Sequence, residues 1–255
     1  MKIVAITQAR VGSTRLPEKV LKTIGGKTLL QIHLERTLRS KRISKLKVAT
    51  TKETGSEAIV AIADTLGVGS FQGPTDDVLA RFYLCALPEN PDYVVRLTAD
   101  CPLIDPHEID KVIDACVTGD YDYASNTLEP TFPDGVDVEV FKFSALKKAY
   151  QEATLKSDRE HVTPYIRRNS SAKGRNLFRS ASVKNDKDFS KYRLTVDTQE
   201  DFDLIENIIL HVGLDKRWLD YVNYLDENPE IMKINARYER NEGYQKSLRE
   251  DQENE

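Results

Sequence analysis

Residues 8–19, Gln-Ala-Arg-Val-Gly-Ser-Thr-Arg-Leu-Pro-Glu-Lys, place Arg10, Arg15 and Lys19 beside Gly12, Ser13 and Thr14, directly behind an apolar run over 2–8. That mixture suits an oligophosphate. Gly12 admits close backbone approach and positive φ, successive N–H groups can form an anion-binding nest, and three cations offset the charge. The loop lacks G-x-x-x-x-G-K-[ST] and carries one glycine only, which argues against P-loop and dinucleotide-binding readings. A solvated surface turn is the competing reading. Two later segments, 93–103 and 193–198, each run from apolar residues onto an aspartate, Asp100 and Asp197. Open α/β sheets bind ligands at strand ends, and Mg²⁺ takes one or two protein carboxylates beside phosphate oxygens and water. Asp197 also suits a helix N-cap before Thr198-Gln199-Glu200, a role compatible with metal binding.

Residues 133–139 present Asp134, Asp137 and Glu139 around Gly135, with Asp137 and Glu139 on one face of an alternating strand. Carboxylates there, with Asn126, fit either a polyhydroxylated acceptor or a solvated hairpin turn, and Gly135 permits close ligand approach. His161, flanked by Arg159, Glu160 and Arg167, can hydrogen-bond or deprotonate an acceptor hydroxyl, or simply pack in a helix. Arg159 and Arg167 suit an acidic acceptor or ion pairs. In residues 73–82, Thr75 or Asp76 reads as an N-cap, and the basic run 36–47 reads as a solvated helix face.

The elements that must position these residues alternate. Strands are expected at 2–8, 46–51, 68–71 and 93–98, separated by a helix bearing Leu30, Leu34 and Leu38, one bearing Ile59, Ile62 and Leu66, and one over 76–87. A helix from Pro106 carries Ile109, Val112, Ile113 and Cys116 on one stripe. Such alternation predicts a mostly parallel sheet covered on both faces. Residues 122–143 read as an inserted, antiparallel strand or hairpin, followed by strands at 176–183 and 192–196 and a helix over Gln199–Val212. A further short helix carries Trp218, Val222 and Leu225. One domain over 1–228 is expected, with an acceptor-binding insert at about 122–175 and a charged helix or frayed tail over 229–255.

The chain has 255 residues, 40% of them hydrophobic, and a net charge of -4, enough for one sizeable core and without the basic field of a nucleic-acid or membrane-surface protein. No stretch approaches the length of a membrane span, and Cys85, Cys101 and Cys116 lack metal-ligand spacing, so a cytoplasmic protein with free thiols is expected.

The string A-R-x-G-S-x-R-L-P-x-K resembles the signature of the CMP-sugar synthetases, and more closely the spore-coat polysaccharide biosynthesis protein F type of cytidylyltransferase. L-T-A-D-C-P-L-I-D, R-L-T-V-D-T-Q-E-D and R-E-H-V-T-P-Y-I are similar to further motifs of that family. The CMP-Kdo enzymes usually carry an acidic residue where Cys101 stands, whereas Asp-Cys-Pro matches the spore-coat type. The resemblance implies a single-domain, Rossmann-like and GT-A-like nucleotidyltransferase fold, a homodimer, and CTP and Mg²⁺ as nucleotide and cofactor. It implies Arg10, Arg15, Lys19 and Asp100 as catalytic residues, Asp100 and Asp197 on the metal, and Ala9, Gly12, Ser13, Thr75, Arg81 and Thr98 at the nucleotide. Asn126, Asp134, Asp137, Glu139 and His161 fall to a small acidic or phosphorylated acceptor. A glycosyltransferase or a non-catalytic nucleotide-binding module are the alternatives.

Overall fold

The alternation of apolar strands and amphipathic helices yields, in a computed structural model that describes residues 1–253, β1 (Ile3–Gln8), β2 (Thr23–Ile24), β3 (Lys27–Thr28), α1 (Leu29–Thr37), β4 (Lys45–Thr51), α2 (Ser56–Thr65), β5 (Gly69–Gly73), α3 (Val78–Ala86), β6 (Tyr93–Thr98) and α4 (Pro106–Thr118). The second half comprises β7 (Tyr123–Ser125), β8 (Glu139–Lys142), α5 (Phe143–Glu152), α6 (Lys156–His161), α7 (Pro164–Arg168), β9 (Ser180–Ser182), α8 (Gln199–Val212), α9 (Trp218–Glu227), α10 (Pro229–Met232) and α11 (Glu242–Glu253). Gly25 and Gly26, both at positive φ, turn the β2–β3 hairpin, which ends where Thr28 caps α1 by accepting from the Gln31 amide. Among the described residues no helix is long and apolar enough to cross a membrane.

The seven-stranded sheet has the order β5-β4-β1-β6-β8-β7-β9. β1 pairs in parallel with β4 and β6, while β8 runs antiparallel to both β6 and β7. The expected insert is thus present as an antiparallel element inside a mostly parallel sheet. Strand alternation sends Ala5, Val48, Val95 and Leu97 toward α1, α2 and α4, and Val4, Ile6, Val94 and Phe141 toward α3 and α5. A third cluster gathers Leu29 and Ile32 from α1 with Phe132, Leu194, Phe202, Ile205, Trp218 and Tyr221. It fastens α8 and α9 to the insert.

Several local expectations change. Residues 192–196 form no ladder strand: Asp134 and Arg193 share an isolated parallel bridge, and the stretch is held by side-chain burial and single backbone bonds. The strand expected over 176–183 shortens to Ser180–Ser182. Leu38 lies past the end of α1 and is 49% exposed, so it does not continue the Leu30–Leu34 stripe. The α3 cap is Asp77, which accepts from the Ala80 amide, and not Thr75 or Asp76. Arg36 is buried, contrary to a solvated run: its guanidinium donates to the carbonyls of Ile104 and Lys216 and to the Tyr221 hydroxyl. A buried guanidinium survives because its protons are satisfied. The three cysteines are free, as expected, and all three are buried.

Candidate active site

The chain leaves β1, builds β4 and β5 to one side, and returns to place β6 on the other. That reversal opens a crevice at the carboxyl ends of β1 and β6, the place where open α/β sheets take ligands. The cationic loop leaves β1 after Gln8, and Asp100 follows β6 after Thr98. Residues 192–197 run alongside: the Val196 amide donates to the Asp100 carbonyl at 2.8 Å and the Thr195 hydroxyl to the same oxygen at 3.2 Å. Asp197 is thereby set beside Asp100 from far along the chain.

Lys19 closes the group. Its Nζ donates to Asp100 Oδ2 at 2.9 Å, Asp197 Oδ1 at 2.7 Å and the Val196 carbonyl at 2.9 Å, which uses all three ammonium protons. Burial opposes the Lys19 charge, but the two carboxylates outweigh it and hold the ammonium above the usual lysine pKa. Burial likewise opposes ionisation of Asp100, and Lys19 with hydrogen bonds from Thr98 and Cys101 holds that carboxyl well below its ordinary value. The Asp100 and Asp197 side chains remain 27% and 23% exposed, open enough to meet a ligand. Asp197 does not cap α8. Thr198 is the N-cap and Asp201 completes the capping box, which leaves the Asp197 carboxylate to Lys19, Arg15 and Arg193.

Arg15 Nη2 lies 3.0 Å from Asp197 Oδ2, while Arg10 is exposed and makes no ion pair among the described residues. Gly12 is not at positive φ; Glu18 is, at 53°. Gly12 instead leaves room beside Glu53, whose Oε1 would lie 3.1 Å from a Cβ there. Ala9 is buried with its amide on the Ala49 carbonyl, and the Ser13 hydroxyl accepts from the Leu16 amide, so both shape the loop. Thr98 Oγ1 sits 3.3 Å from Cys101 Sγ. Arg81 is buried under the end of β5, donating to the carbonyls of Pro74 and Thr75. Burial, with Arg10 nearby, lowers its pKa to about 10, and its Nε has no partner among the described residues.

The three carboxylates of residues 134–139 are already engaged. Glu139 accepts from Arg96 at 2.6 Å, the Tyr123 hydroxyl at 2.6 Å and the Thr163 hydroxyl at 2.7 Å; Asp134 pairs with Arg193 at 2.8 Å, and Asp137 with Arg240. Asp134 and Glu139 are buried and require such partners, so neither is the open hydroxyl receptor that alternation suggested, whereas the Asp137 side chain stays 29% exposed beside Arg240. Burial and the neighbouring Asp137 raise Asp134 to about 7. The Asn126 amide is spent on the backbone, donating to Val136 and accepting from Val138, so it braces the insert. Gly135, at φ 100°, is approached by the backbone of Leu194 and Thr195 and not by open ligand space. Arg159 pairs with Asp77, the α3 cap, whereas Arg167 has no carboxylate within 4 Å among the described residues and faces the Tyr244 ring at 6.0 Å. His161 ends α6, with burial and then Arg96 lowering its pKa. Val162 follows at φ 71°, a costly conformation for a β-branched residue held by complete burial.

Sequence reasoning assigned no role to Arg96, Arg193, Arg240 or Glu242. The first two had a signal, a cation inside an otherwise apolar segment, and Arg193 is the hub that joins Asp134, Asp197 and Asp201. Arg240 and Glu242 had none, since the tail is uniformly charged.

A cationic turn and a carboxylate pair meet at the reversal point of an α/β sheet, the place where such sheets take ligands. Residues 4–234 match the family model of the cytidylyltransferases, and the chain belongs to that family. It is 31% identical to the spore coat polysaccharide biosynthesis protein SpsF of Bacillus subtilis over 242 residues, 89% of this chain and 95% of that one. An uncharacterised protein of Methanocaldococcus jannaschii is 39% identical over 255 residues, 98% and 99% of the two chains. The structure of a cytidylyltransferase from Leptospira borgpetersenii superposes with a TM-score of 0.85 at 36% identity, covering 91% of this chain and 97% of its own.

Proposed function

We propose that the chain transfers CMP from CTP to a small anionic, sugar-like acceptor in the assembly of a surface polysaccharide or glycoconjugate. The observation that carries this reading is the convergence of Lys19 on Asp100 and Asp197 beside the cationic loop, in a member of the cytidylyltransferase family. An acceptor oxygen attacks the α-phosphorus, a new P–O bond forms, the bond to the bridging oxygen breaks, and pyrophosphate leaves with its electron pair. Positioning and charge neutralisation supply most of the rate in such transfers.

Arg10 and Arg15 hold the triphosphate, with Arg81 behind Arg10, while Lys19 fixes Asp100 and Asp197 beside it. Asp100 and Asp197 are hard oxygen donors already sharing one cationic group, the Lys19 ammonium, and this donor set fits Mg²⁺. Such an ion, when bound, supplies further neutralisation of phosphate charge. On the acceptor side, Arg96 is neutralised by Glu139 and Arg240 by Asp137, which leaves Arg167 as the cation for an acceptor carboxylate or phosphate. His161, whose protonated form burial and then Arg96 disfavour, takes the proton of an acceptor hydroxyl. The test is pyrophosphate release across four nucleoside triphosphates and a panel of acid and phosphate acceptors. Release is expected with CTP, and Asp100→Asn and Asp197→Asn should each lower it by roughly 10²-fold or more. Near-normal turnover in both variants removes the carboxylate assignment.

A further inference from the structure

Residues 235–253 lie beyond the stretch matched to the family, 4–234, yet they touch both halves of the site. Arg15 bridges: Nη2 reaches Asp197 Oδ2 at 3.0 Å, and Nη1 donates to Oε2 of Glu242, the first residue of α11, at 2.9 Å. Farther along α11, Ser247 Oγ lies 2.9 Å from His161 Nε2, and the Tyr244 ring stands edge-on to that imidazole with centroids 5.2 Å apart. The same tyrosine faces the Arg167 guanidinium. The groups assigned above to the acceptor are thus occupied by the tail, and the tail is tied to a group assigned to the triphosphate.

The tie is weak by construction. Arg15 and Glu242 are 42% and 39% exposed, and a solvated pair of this kind shifts an equilibrium by roughly fivefold at most. A phosphate offers the same guanidinium two charged oxygens in matched geometry and wins the exchange. At the other end of α11, Lys156 pairs with Glu250, and the Ser157 amide donates to Asp251 at 3.2 Å, so the helix stays tethered to α6 when its first turn is freed.

We propose that α11 is a cover over the acceptor subsite, latched by Glu242 on Arg15 and released when the triphosphate takes that guanidinium. The inference rests on the reading of CTP as substrate, and it makes binding ordered: nucleotide first, then an acceptor that meets His161 and Arg167 only after Ser247 and Tyr244 have withdrawn. By linkage, removing the latch must tighten nucleotide binding by the factor the latch costs. Calorimetric titration with CTP and Mg²⁺ tests this on the full chain. Glu242→Gln, which keeps an oxygen for the Glu239 amide, is expected to lower the CTP Kd roughly two- to fivefold, and the same change in an Arg15→Gln background to have no effect. Hydrogen exchange of residues 243–248 in the wild type should speed up on adding CTP, while that of the tethered end, 249–253, stays as it was. An unchanged Kd in Glu242→Gln, an equal gain without Arg15, or unaltered exchange overturns the latch while CTP binding stands. A wild-type chain that binds no CTP overturns the latch and the cytidylyltransferase reading together.

Discussion

Lys19 spends three protons on oxygens of Asp100, Val196 and Asp197, all far from it in the chain, and Arg10, nine residues earlier, spends none on any carboxylate among the described residues. The contrast separates a cation that organises the site from one that waits for an anion. Arg10→Ala is expected to raise the KM for CTP roughly ten- to hundredfold, the scale of a lost charged hydrogen bond, and to change stability by less than about 0.5 kcal/mol. Steady-state kinetics with chemical denaturation of the same variant checks both halves, and an unchanged KM removes Arg10 from the triphosphate. Arg81 illustrates the opposite case. Its burial under β5 and its bonds to Pro74 and Thr75 make it a brace of the turn that follows β5, with the Nε left unpartnered among the described residues.

At the level of elements, the site depends on an extended segment that is not a sheet strand. Residues 192–197 carry Asp197 to Asp100 because Gly135 lets the insert pass directly over them. A Cβ on Gly135 would lie 2.5 Å from Leu194 C and 2.6 Å from Thr195 N, both backbone atoms that cannot rotate away, and the residue holds φ 100°. Gly135→Ala is therefore expected to cost more than about 2 kcal/mol and to lower pyrophosphate release beyond what the lost folded fraction explains. Denaturation and activity of the purified variant measure the two, and wild-type stability would show that the contact can relax. The α8 capping box belongs to the same scale: with Thr198 and Asp201 closing the helix, the Asp197 carboxylate is not spent on its end.

For the whole molecule, His33 records how the layers lock together. It lies fully buried on α1, with Nδ1 on the Cys101 carbonyl at 2.9 Å and Nε2 on the Thr7 hydroxyl at 3.0 Å, so it ties β1 to the turn bearing Asp100. Burial lowers its pKa to about 4. A histidine with a depressed folded pKa binds its proton more readily when unfolded, so stability is lost as pH falls from about 6.5 to about 4 and is constant on either side. The loss is about 3 kcal/mol from this group. His33→Gln should show a shallower decline between pH 7 and pH 4.5 in urea unfolding, and equal slopes in the two proteins would overturn the assignment.

The sequence by itself determined the parallel α/β core, the loop after β1 and the two aspartates, because apolar periodicity and a cluster of cations behind a strand are local facts written in consecutive residues. It also contained Arg96 and Arg193 as charges in apolar segments, though not the acids they would pair with. Only the tertiary structure decided that Asp134, Asp137 and Glu139 are paired, that Asn126 and Gly135 serve the backbone, and that the charged tail folds as α11 against α6 and reaches Arg15. The reason is physical. Which carboxylate a buried guanidinium meets is set by long-range approach and by the cost of leaving either charge unpaired, and neither quantity appears in the order of the residues.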